Sequence, residues 1–142
     1  MIVNRLRGLT AVGLFVGLVA SGGVLMATVE FLDADAKASI IGDGSSAVVT
    51  GRIQCTDGHT MNIQAIIAQN VRQDSVISTG FEDDDVCNGE VQAFVIPVEI
   101  LFPADGKFKK GPASLTLQAQ SCDPITFECS DPVALQTKVH MQ

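Results

Sequence analysis

Residues 49–67 read VTGRIQCTDGHTMNIQAII, and their alternation decides the fold class. Val49, Gly51, Ile53 and Cys55 share one face of an extended chain while Thr50, Arg52 and Gln54 take the other, which is the two-residue period of a half-buried strand. Met61, Ile63, Ala65 and Ile67 repeat that pattern against outward Asn62 and Gln64. Asp57-Gly58 supplies turn chemistry between them. The two runs are therefore expected to pair as a hairpin with both apolar faces pointing the same way.

The pattern continues toward the C-terminus. A third short strand is expected from Val76 to Gly80, followed by an acidic loop, Glu82-Asp83-Asp84-Asp85, that leads into Cys87 and the turn Asn88-Gly89. Val91 to Phe102 is a long apolar run in which Pro97, lacking an N–H, must sit at a bulge or on an edge. Ala104-Asp105-Gly106 and Lys109-Lys110-Gly111-Pro112 are turns on either side of Phe108. Beyond them Ala113, Leu115, Leu117 and Ala119 alternate with polar residues, as do Val133, Leu135, Thr137, Val139 and Met141 with Gln136, Lys138 and His140.

Strands with turns about every 8 to 12 residues predict an all-β domain, an antiparallel Ig-like β-sandwich over 47–142. Phe94, Phe102 and Phe108 are its expected large core fillers. The chain has no Trp and no Tyr, so neither the Trp packed on an intersheet disulfide nor the tyrosine corner of antibody domains is available.

Ahead of this domain, Arg5 and Arg7 precede an apolar run from Leu9 to Met26 without a charged residue, the order of a secretory signal. Ala34-Asp35-Ala36 and Ala36-Lys37-Ala38 both offer the small-x-small pattern of a cleavage site. The expected division is a signal peptide or hydrophobic helix over 1–36, a flexible segment over 37–46, then the domain. At about 18 residues the run is also just long enough to span a bilayer uncleaved, which would be the chain's one membrane contact. Arg7-Gly8 followed by Leu9-Thr10-Ala11-Val12 resembles the processing site of type IV pilins and archaeal pilin-like subunits, although Gly13 stands where bacterial pilins carry glutamate. That resemblance implies a filament subunit with the apolar segment retained. The region Lys37 to Ala47, with Ile40-Ile41 followed by Gly42-Asp43-Gly44-Ser45-Ser46, reads either as a donor strand on a flexible hinge for a neighbouring copy or as an ordinary first strand.

All four cysteines, Cys55, Cys87, Cys122 and Cys129, lie beyond the apolar run. An even count in an exported chain reads as a disulfide framework with three possible connectivities. Cys55 with Cys87 and Cys122 with Cys129 is the favoured one, the second pair pinching a short loop. No pair has zinc-finger spacing, and no Cys-x-x-Cys is present for redox chemistry.

The charge is −7 for the whole chain and −6 without residues 1–36. That balance repels phosphate backbones, which argues against nucleic acid as a partner. Chemistry is equally sparse. His59 beside a turn and His140 on an outward strand face are expected as solvated surface residues. Ser78 and Ser121 lack the Gly-x-Ser-x-Gly elbow of a nucleophile, and the adjacent acids Glu82 to Asp85 lack burial on an exposed loop. Weak calcium binding by those oxygens is conceivable at millimolar external concentrations, but no EF-hand spacing is present. The expectation is a non-enzyme with no catalytic residues, no cofactor and no resident metal.

The order strand, Cys55, second strand, Cys87-Asn88-Gly89, long apolar strand, then Phe108-Lys109-Lys110-Gly111-Pro112-Ala113 resembles uncharacterised small secreted bacterial proteins with an Ig-like fold. The resemblance covers residues 45 to 142. It implies an extracellular interaction or structural module, meeting an unknown protein or cell-surface partner or a second copy of itself, and carries over no catalytic residues.

Overall fold

The computed structural model describes residues 28–142; the expected signal lies, through residue 27, outside the described residues. Eight strands follow in order: β1 Val29–Ala34, β2 Lys37–Ile41, β3 Ser46–Cys55, β4 Thr60–Val71, β5 Asp74–Val86, β6 Val91–Ile100, β7 Gly111–Cys122 and β8 Val133–Met141, with a 3-10 turn at Pro103–Asp105. The inward rows read from the alternation are buried. Val49, Ile53, Met61, Ile63, Ala65, Ile67, Leu115, Leu117, Val139 and Met141 all belong to one core.

The architecture is not the expected sandwich. The strands form one sheet in the order β1-β3-β2-β8-β7-β4-β5-β6, and β3 pairs again with β6, so the sheet closes on itself. β1 and β2 share one side of β3 in succession, β1 against Gly51–Cys55 and β2 against Ser46–Val48. Seven staves thus complete a barrel. Every pairing is antiparallel except β2 with β8. Alternation cannot distinguish the two folds, because a sandwich and a barrel both need one apolar face per strand. Closure rests on the nine-pair register from Ser46↔Glu99 to Gln54↔Val91, which no local pattern announces.

The same long-range pairing overturns the expected hairpin. The chain does turn after β3, with Gly58 at φ 79° and the His59 N–H donating to the Thr56 carbonyl at 3.1 Å. Yet β3 goes to β6, while β4 lies between β5 and β7. The acidic stretch is not a loop either, because Glu82 to Asp85 continue β5 to Val86. Phe94 and Phe108 fill the core, whereas Phe102 stands outside at 59% exposure.

Residues 29–36, expected within the leader, and 37–46, expected as flexible, are built into the barrel. Lys37–Ile41 is β2, bonded to β3 and β8 of its own chain. In β1, Val29 is buried and the Phe31 ring meets Phe94 edge-on, centroids 6.0 Å apart. Asp33 pairs with Arg52, and the Thr50 hydroxyl donates to Asp35. Gly51 admits this strand, since a Cβ there would fall 2.5 Å from the Asp33 carbonyl oxygen. Full burial of an apolar side chain of this size contributes about 1.5–3 kcal/mol.

Candidate interaction surface

Four cysteines meet at one end of the barrel. They pair as Cys55–Cys87 and Cys122–Cys129, where β3, β5 and β7 finish. The chain also enters there. The Thr28 N–H donates to the Thr56 hydroxyl at 2.8 Å, and the Ser121 hydroxyl donates to the Thr28 carbonyl at 3.1 Å.

The second disulfide closes a tightly bonded loop. Asp123 Oδ1 accepts the N–H groups of Ile125 at 2.8 Å and Thr126 at 3.3 Å, its carbonyl accepts the Phe127 N–H at 2.9 Å, and its own N–H donates to the Glu128 carbonyl at 2.8 Å. Those backbone donors hold the Asp123 carboxyl below the usual carboxylate range. What the loop presents is apolar: Ile125 is 84% and Phe127 81% exposed. Sequence reading had found the pinch but not its display. The available signal was two large apolar residues inside a cysteine-closed loop too short to fold back on a core.

His59 links the two disulfides. Its carbonyl accepts the Cys87 N–H at 2.8 Å, and its Nε2 lies 3.9 Å from Asp123 Oδ2. Only 13% of its side chain is exposed, and buried Nδ1 has no hydrogen-bond partner. The turn places the ring between the two loops, which corrects the expectation of a solvated surface histidine. His140 is exposed on β8, toward the opposite end.

The barrel wall carries a second feature. β5 and β6 pair only through Ser78↔Ile100 and Thr79↔Glu99, and then separate. Pro97 sits on this open side of β6, where its missing N–H leaves no ladder bond unmade. A Cβ at Gly80 would lie 2.0 Å from the Pro97 carbonyl oxygen, so glycine is what lets the strands approach before they part. Glu82 sits half-buried in the seam, its Oε2 buried without a hydrogen-bond partner. Burial, together with hydrogen bonding to Asp85 and that neighbour's charge, pushes its pKa up to about 7. Outside the seam, β6 exposes Val91, Ala93, Val95 and Pro97 in a row, with Phe81 exposed on β5.

Ser78 and Ser121 donate their hydroxyls to the carbonyls of Ile67 and Thr28, and the two histidines sit toward opposite ends. Among the described residues no three His, Cys, Asp or Glu side chains converge on a common metal position. A surface hollow of about 320 Å³ over β7 and β8 is lined by Ser114, Leu115, Thr116, Gln136, Thr137 and Lys138.

No protein-family model matches this chain, and no curated protein does. Among solved structures, it is similar to the solution structure of a protein assigned provisionally to the late embryogenesis abundant (LEA) class, with a TM-score of 0.46 and 14% identity over 98% of this chain and 87% of that one.

Proposed function

We propose that this chain is an exported, non-enzymatic module that acts by contact with another protein or a surface component. The observation that carries the reading is the exposed row Val91, Ala93, Val95 and Pro97 on a wall braced at one end by two disulfides. Exposed apolar groups contiguous on a rigid frame are the usual mark of an interaction surface. Two disulfides in a domain of this size are compatible with an oxidising exterior.

A photoreactive side chain at Val95, compared with one at Gln136 on the polar outer face of β8, tests the reading in cells. Adducts at position 95 and none at 136 are expected. Equal labelling at the two positions, or free thiols in the recovered protein, overturns it.

The filament reading keeps one specific support. β1 begins at Val29, so processing after Gly8, as in pilins, leaves the barrel whole. Within Lys37–Ala47, the donor-strand segment, β2 is occupied within its own barrel.

A further inference from the structure

We propose that the barrel stands on a lipid bilayer at its disulfide end, with Leu9–Met26 retained as a membrane span and Ile125 and Phe127 seated in the interface beside it. The proposal uses the exported placement argued above and adds the partner, a lipid surface.

Processing after Ala36 or Ala38 would remove all of β1. With it would go buried Val29, the ring of Phe31 against Phe94, the partners of Arg52 and Thr50, and the strand that Gly51 lacks a side chain to admit. A barrel wall so specifically fitted belongs to the mature chain. Retaining β1 brings the mature chain up to Thr28, and only Ala27 separates Thr28 from the last residue of the apolar run, Met26.

Two residue steps reach at most about 7 Å, so a span ending at Met26 leaves the membrane close to Thr28. Thr28 is bonded to Ser121, the neighbour of Cys122, and Cys122 opens the loop that displays Ile125 and Phe127. The most exposed large apolar side chains of the described residues therefore hang from the point where the chain meets the bilayer. Their loop is closed by a disulfide and by the Asp123 hydrogen bonds, so little ordering remains to be done when it meets lipid.

Charge sets the orientation. Arg5 and Arg7 flank the run on one side, and Glu30, Asp33 and Asp35 follow it on the other. Basic flanks stay cytoplasmic, which puts the barrel outside. The loops at this end carry Asp57, Glu90, Asp123 and Glu128, so a zwitterionic surface suits it better than an anionic one.

The absence of Trp from the chain makes the test direct. Full-length protein with Phe127→Trp, and separately Ile125→Trp, is recovered from an exporting host and placed in phosphatidylcholine vesicles containing a brominated phosphatidylcholine. Phe102→Trp, toward the opposite end of the barrel, is the control. The expected result is an intact mass that includes residues 9–26, blue-shifted emission at 127 and 125 with most of it lost to the brominated lipid, and unquenched emission at 102. A mature chain beginning beyond Met26, unquenched emission at both loop positions, or equal quenching at 127 and 102 overturns the proposal. Soluble, fully oxidised protein lacking the apolar run would sink this inference and leave the exported module standing; free thiols would sink the export itself.

Discussion

Ser121 and Thr28, 93 positions apart in sequence, are joined by a hydrogen bond of 3.1 Å that ties the start of the described chain to the end of β7. Shortening the chain to residues 37–142 breaks this bond and removes β1. The loss of Val29, Phe31 and their hydrogen-bonded neighbours is expected to cost about 4–6 kcal/mol, comparable with the whole stability of a small domain. Urea unfolding of 28–142 against 37–142 measures it. Equal midpoints would show that β1 is an accessory to the barrel.

Gly80 is the tightest point of the seam. Gly80→Ala places a Cβ 2.0 Å from the Pro97 carbonyl oxygen, which forces β5 and β6 apart at the place where their pairing ends. A loss of about 2–4 kcal/mol is expected, read as a lower thermal midpoint. Gly58→Ala, whose Cβ meets nothing within 4 Å, is expected to cost about 1 kcal/mol through its positive φ alone.

Glu82 makes stability depend on pH in an unusual direction. Its carboxyl binds a proton more tightly folded, at about 7, than at the ordinary 4.5, so ionisation favours the unfolded chain. Stability is expected to fall as pH rises from 4.5 to about 7 and to level off above. Asp33 and Asp123, both held low by hydrogen bonds, contribute in the opposite sense, and their share is lost as pH drops below 3.8. Glu82→Gln is expected to flatten the upper limb and gain on the order of 1 kcal/mol at pH 8. Thermal midpoints from pH 2 to 8 check both signs.

The two disulfides are unequal. On the chain-entropy model the separations of 32 and 7 residues correspond to about 3.7 and 2.4 kcal/mol. Replacing Cys55 and Cys87 with Ala is expected to lower stability more than replacing Cys122 and Cys129. The second replacement should instead loosen the Ile125–Phe127 loop, visible as faster amide exchange at residues 124–128 with little change in the core.

Individual strands were legible because a half-buried strand writes its own period, as Val49 to Cys55 and Ala113 to Ala119 do. The favoured one of three possible disulfide connectivities is the one present. What stayed hidden was relational. Nothing in β3 says that its partner is β6, and nothing in Glu82 to Asp85 says that four acids extend a strand whose outer side is free. Phe102 was placed inside on hydrophobicity, although its strand ends at Ile100 and leaves it outside. The small residues at 34–38 offer a cleavage pattern, and nothing in that pattern says that Val29–Ala34 is a strand fitted against Gly51 and Phe94.

Seven staves are sealed by the one parallel contact, Lys37 and Ala38 against His140 and Met141, reinforced by the Ile40 N–H donating to the Gln142 carbonyl. A chain made from its N-terminus has β2 waiting until residues 133–142 arrive. Through nearly all of its synthesis the molecule therefore stays open, and the step that locks it shut waits for its last strand.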